Sequence, residues 1–128
     1  MRNVSAELTS LSAVELARKI RSRQVSSREV VQAHLARAAE WNPKLNAIVH
    51  LDSEGALQQA AAADEAQANG RPLGRLHGVP LTIKASIDVK GLRCECGSRF
   101  RQGNVAEHFV GAQTEATLRQ ALARQGIE

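Results

Sequence analysis

Aromatic residues are almost missing from this chain: they make up 2% of it, as Trp41, Phe100 and Phe109, with no tyrosine. That scarcity excludes the stacking platforms on which single-strand nucleic-acid binders rely. Cysteine is nearly absent too. Cys94 and Cys96 are separated by one residue and make no disulfide framework. No apolar run approaches the length of a transmembrane helix, so no membrane association is expected. The first ten residues hold no apolar h-region, which leaves the cytoplasm as the expected location. Lysine plus arginine number 17 against 13 acidic residues, for a net charge of +4. These charges are spread along the chain rather than gathered in a block, so nucleic acid is not expected as the main partner.

What is present is small and aliphatic. The chain has 128 residues, which bounds it to one domain at most, and 21 of them are alanine. Alanine methyl groups bury little area each, so a self-sufficient core is not expected.

Two helix starts are written plainly. Ser12-Ala13-Val14-Glu15 fits a capping box, with Leu11 and Leu16 placed as its hydrophobic staple. This helix is expected to end near Arg23 or Gln24. Ser26-Ser27-Arg28-Glu29 repeats the device, with Val25 and Val30 as the staple. The second helix is expected to stop at Asn42-Pro43, because a residue before proline avoids helical geometry. Ala47 to Leu51 reads as a short buried strand. An alanine-rich helix follows from about Glu54 to Ala68, closed by Asn69-Gly70. Arg71 to Gly78 reads as a loop. Val79 to Lys84 then reads as a strand, with Val79, Leu81 and Ile83 on one face and Pro80 at its start or on an edge. A last helix is expected from about Glu115 to Gln125, with Gly126 behind it. Helix, strand and loop in this order predict an α/β fold with a mixed sheet.

Lys84 is the candidate for chemistry. It ends an apolar strand, where desolvation would lower its pKa and let a neutral amine act as a base. A strand-end lysine that snorkels to water is the plain reading of the same pattern.

The run Leu76-His77-Gly78-Val79-Pro80-Leu81-Thr82-Ile83-Lys84, followed by Ile87-Asp88-Val89-Lys90-Gly91-Leu92 and Gly97-Ser98, resembles the lysine-bearing segment of the amidase signature family. Val25 to Glu29 and Asn42 to Ala47 resemble that family's N-terminal helices, and Glu115 to Gly126 resembles the helix before its next strand. The resemblance implies an N-terminal part of the amidase-signature domain over residues 1–128, with helices at about 12–41, the lysine-bearing strand and loop at about 76–111 and a helix at about 115–125. It implies hydrolysis of amide carbon–nitrogen bonds by a serine, a second serine in a cis peptide, and Lys84 as the general base. The implied substrate is a small-molecule amide.

The chain departs from that pattern in one respect above all. Neither Ser86 nor Ser98 matches a family catalytic serine, and no Gly/Ser-rich nucleophile segment is present. Ser26-Ser27 reads as a helix cap. Ala85 stands where many members carry an acidic residue, and Arg93-Cys94-Glu95-Cys96 replaces a threonine-rich stretch. A lysine without its nucleophile gives no acyl-enzyme route, so the chain reads as truncated and inactive alone, with limited stability by itself. A complementing chain or a homo-oligomer is an expected partner. A noncatalytic interaction module derived from the same fold is the competing reading. Cys94 and Cys96 with His77 and His108 match no zinc spacing, and no P-loop pattern is present, so no metal or cofactor is expected. His34 and His50 read as satisfied or surface histidines, and Trp41 as a packing residue.

Overall fold

The computed structural model describes residues 7–87 and 111–112. Within them, α1 (Ala13–Arg21), α2 (Ser27–Leu45) and α3 (Ser53–Ala68) precede β1 (Pro80–Leu81) and β2 (Gly111–Ala112). The predicted helix at about 115–125 lies outside the described residues.

Both capping boxes form. Ser12 accepts from the Glu15 amide while the Glu15 carboxylate accepts from the Ser12 N–H at 2.8 Å. Ser26 and Glu29 repeat the exchange, with the Ser26 N–H also 2.8 Å from the Glu29 carboxylate. Leu11 and Val25, the residues just before the two caps, pack against the core. α1 closes through Ser22, and Arg23 turns the chain at φ +57°. α3 begins on Asp52, whose side chain accepts from the Gly55 amide, and ends at Asn69 with Gly70 at φ +67°.

α2 is the hub. Its Val30 and Ala33 meet Leu16, Ala17 and Ile20 of α1, together with Leu8 and Val79. Its Val31 meets Ala56 and Ala60 of α3, with Leu35 and Leu57 at the margin. Ala56 and Ala60 have no exposed surface at all. One turn apart on α3, their methyl groups let the α2 and α3 backbones approach closely. The alanine content thus serves tight helix contact.

Three expectations need correction. First, α2 runs through Pro43 to Leu45 and stops at Asn46, which adopts the left-handed conformation at φ +48°. The restriction before proline is a preference, and here the Asn46 N–H reaches the Asn42 carbonyl at 2.7 Å and completes the helix end beyond it. Second, Ala47–Leu51 forms no strand. The Asn42 side chain holds both Ile48 backbone groups, accepting from its N–H at 2.8 Å and donating to its C=O at 2.9 Å. No described strand pairs with this segment, and Val49 is 63% exposed. Third, the Val79–Lys84 strand is shorter as a ladder. Only Pro80 and Leu81 pair, antiparallel, with Ala112 and Gly111. Val79 belongs to the preceding turn, its N–H donating to Leu76 C=O at 3.2 Å.

The Glu29 carboxyl is held below its ordinary pKa of 4.5, first by the Ser26 backbone N–H and then by the Ser26 hydroxyl. A lowered native pKa contributes stability above the unfolded value and loses it as pH falls through the native one. Thermal unfolding followed by circular dichroism should therefore show Glu29→Gln destabilised by roughly 0.5 kcal/mol at pH 7, the modest value of a solvent-screened cap. The difference from wild type should shrink as pH drops below 4.5. A difference that stays constant down to pH ~3 would remove the charge-assisted cap from the account.

Candidate functional site

The Lys84 segment is set in place from behind by backbone and side-chain contacts. Leu76-His77-Gly78-Val79 forms a turn in which Gly78 takes φ +76°, a conformation open to glycine. Gly78 is buried against Ser27 and Ile20, and a Cβ there would sit 2.9 Å from Ser27 Cβ and 3.3 Å from Ile20 Cδ1. The loop is also tied to the helices. The Arg21 guanidinium donates to Gly74 C=O at 2.9 Å, and the His77 ring donates through Nε2 to Ala63 C=O at 2.9 Å. Val79 then enters the α1–α2 core at 6% exposure.

From this anchor the chain runs outward. Burial alternates along it: Leu81 and Ile83 are half-buried, while Thr82 and Lys84 are exposed. This matches the face assignment expected for the segment. Lys84 opens a turn closed by the Ile87 N–H on Lys84 C=O at 2.9 Å. Its side chain faces solvent, and no described residue encloses it.

The N-terminus of α2 supports the same place. Ser27 and Arg28 donate their amides to the Asp64 carboxylate of α3, at 2.7 and 3.1 Å. Ser26 takes the Glu29 amide at 3.1 Å. Gln67 of α3 donates to the Ile20 and Arg21 carbonyls at the end of α1, at 2.9 and 3.2 Å. The Asp64 and Gln67 contacts span 36 to 47 residues. Nothing in a local sequence pattern signals them, and Asp64 and Gln67 escape a reading of the sequence for that reason. Ser27 itself is fully buried, which removes it as a nucleophile.

Beside β1 lies an open groove of about 650 Å³ between the second half of α2, residues 47–48 and Pro80–Thr82. Leu35, Trp41, Leu45, Ile48 and Leu81 line it. Arg37 lies over the Trp41 ring at 4.8 Å from its centroid, and Lys44 at 5.5 Å. Trp41, expected as a packing residue, is instead 39% exposed on the groove wall. His34 donates to Val30 C=O at 2.8 Å, as a satisfied helix histidine does. Among the described residues no group of three or more metal-ligating side chains occurs, and no helix is long and apolar enough to cross a membrane. Asp88, Cys94, Cys96, Ser98 and His108 lie outside the described residues.

Residues 29–127 match the Amidase family. The chain belongs to that family. A glutamyl-tRNA(Gln) amidotransferase subunit from Salinispora arenicola is 44% identical over 97 residues, which is 76% of this chain and 20% of that protein. The corresponding protein of Acidothermus cellulolyticus is 38% identical over 122 residues, 95% of this chain and 23% of that one. An indoleacetamide hydrolase of Bradyrhizobium diazoefficiens is 51% identical over 80 residues, 62% of this chain and 15% of that enzyme. Among solved structures, a fatty acid amide hydrolase superposes with a TM-score of 0.78 at 27% identity, covering 95% of this chain and 21% of that one. The amidase-signature fold is therefore present in part, and the chain spans about a fifth of the length of the curated amidotransferase relatives it matches.

The amidase segment bearing Lys84 depends on the absence of a side chain at Gly78. Gly78→Ala should lower stability by about 2 kcal/mol, through positive-φ strain and the clash with Ser27. Combining it with Ser27→Gly should restore part of the loss in a thermal melt. Full additivity of the two substitutions would show that the contact does not matter.

Proposed function

We propose that this chain carries the general-base lysine of an amidase-family enzyme that hydrolyses the carbon–nitrogen bond of a small-molecule amide. The supporting observation is the position of Lys84: on the far side of an anchored turn, exposed, at the end of a segment that aligns with the family. The amide class is supported by the names of the relatives, an indoleacetamide hydrolase and a fatty acid amide hydrolase. In this reading the reaction follows the Ser–cisSer–Lys scheme. Neutral Lys84 takes a proton through the cis-peptide serine from the nucleophilic serine. The serine oxygen adds to the amide carbonyl, and the amine leaves with a proton. Water then cleaves the acyl-enzyme to the carboxylic acid and restores the serine.

Both serines come from outside these 128 residues, and the 128-residue polypeptide alone is inactive. Desolvation of Lys84 comes from the same missing surroundings, since Lys84 is exposed here. We place the reaction in the cytoplasm.

The test is a chimera in which this chain replaces the matched part of the Bradyrhizobium indoleacetamide hydrolase. Ammonia release from indoleacetamide should persist. Lys84→Ala should cut it by at least ~10³-fold, in line with loss of one member of a catalytic unit. Lys84→Arg should not rescue it, because arginine stays protonated. An active chimera indifferent to Lys84→Ala would refute the role, and ammonia release by the isolated chain would refute the need for outside serines.

A further inference from the structure

We infer that His77 is a positioning residue for Lys84: its ring is the directional tie that orients the segment carrying the amine on the helices. This rests on the reading of Lys84 as the general base and adds the group that aims it. Two hydrogen bonds lie inside the turn before the segment, from His77 N–H to Gly74 C=O at 3.2 Å and from Val79 N–H to Leu76 C=O at 3.2 Å. They shape the turn and attach it to nothing else.

The attachments to the helices differ in what they fix. Gly78 rests on Ser27 and Ile20 by shape. The Ser27 hydroxyl is buried and has no hydrogen-bond partner among the described residues, so this seat sets a distance and no direction. Val79 enters the core by apolar contact, which is equally non-directional. The Arg21 guanidinium does donate, to Gly74 C=O at 2.9 Å, but from an exposed side chain and ten residues before Lys84. His77 donates from a half-buried ring to Ala63 C=O at 2.9 Å, seven residues before Lys84. A carbonyl only accepts, so the proton is on Nε2. A hydrogen bond weakens steeply off line, and this one therefore fixes the angle at which the turn meets α3.

The acceptor is placed as firmly as the donor. Ala63 precedes Asp64, whose carboxylate takes the Ser27 and Arg28 amides at 2.7 and 3.1 Å. The consecutive loop residues His77 and Gly78 thus sit against consecutive residues of α3, the second through Ser27. Two points of contact make a line, where one would make a pivot. Without the His77 bond, Gly78 and Val79 remain as that pivot. An extended chain rises about 3.3 Å per residue, so the Lys84 backbone lies up to roughly 20 Å from it. A rotation of about 3° then moves the lysine by about 1 Å, a displacement that costs on the order of 10²-fold in rate. β1 also pairs with β2, which packs on α3. That pairing holds the middle of the segment near the helices and reduces the expected loss to at least ~10-fold.

The test uses the 128-residue chain and the indoleacetamide hydrolase chimera. His77→Phe keeps a ring without the donor, His77→Asn carries a donor too short to reach, and His77→Gln places an amide N–H near the Nε2 position. In the chain, residual dipolar couplings report the directions of the Thr82, Ile83 and Lys84 amides against α2 and α3. His77→Phe and His77→Asn should turn these three amides while the helix couplings keep one common frame. His77→Gln should return them. In the chimera, His77→Phe and His77→Asn should lower kcat at least ~10-fold with KM held within about twofold, and His77→Gln should recover most of the loss. On a Lys84→Ala background His77→Phe should cost nothing further, because it acts through the amine. Amide directions unchanged in both His77→Phe and His77→Asn overturn the inference. So does a loss of rate that persists undiminished on the Lys84→Ala background, which would make the role of His77 structural alone. Turned amides in a chimera that is indifferent to Lys84→Ala sustain the positioning of the segment and overturn only the reading of Lys84 as the base.

Discussion

The carboxylate of Asp64 at the start of α2 is the interaction on which the described structure turns. A helix N-terminus leaves four amides without intrahelical partners. Here Asp64 takes those of Ser27 and Arg28, the Ser26 hydroxyl takes that of Glu29, and the Glu29 carboxylate takes that of Ser26. Asp64 thus reaches two of these amides from α3, after 36 residues of intervening chain. The same contact places negative charge at the positive end of the helix dipole. It also fixes the register of α3 on α2, which is what allows Ala56 and Ala60 to meet Val31. With α3 in that register, Gln67 reaches the end of α1 and Ala63 accepts from His77. The His77 tie on the loop before Lys84 thus comes from α3, the helix that carries the cap, and the Arg21 tie from α1.

The same cap explains which parts of the fold are legible in the sequence. The capping boxes at Ser12 and Ser26 are written within four residues, and both form. The alternation from Val79 to Lys84 is local, and the burial follows it. The Asn69-Gly70 stop is local as well. The misreadings share a different cause. Pro43 looks like a terminator, but the helix end is set by Asn46 and by Asn42 reaching Ile48. Ala47–Leu51 has the composition of a strand, yet a strand exists only with a neighbour, and Asn42 takes the Ile48 backbone groups instead. Asp64 and Gln67 give no sign because their partners lie far away in sequence. The family is legible in the sequence, on the segment that ends at Lys84. Its surroundings are not, because exposure and anchoring are properties of packing.

The composition acquires a more specific meaning from the structure. Alanine abundance by itself suggests a poor core. In place, Ala17, Ala33, Ala56 and Ala60 sit at helix contacts, where small size lets backbones approach. Among the described residues the buried large side chains are few, with Ile20, Val30 and Val31 the fully enclosed ones apart from Ser27. Such a core holds three short helices in register, but it leaves the larger apolar residues of α2, Trp41 and Leu45, outside both clusters. The division is informative. The first half of α2 is saturated with contacts, and the second half presents its apolar side chains to the groove.

That division bears on the surroundings of the Lys84 segment. The described residues supply anchoring without enclosure: Gly78, Val79 and His77 fix the start of the segment, while Thr82 and Lys84 remain in solvent. The positioning of the Lys84 segment thus rests on the turn at Gly78 and on the ties from Arg21 and His77.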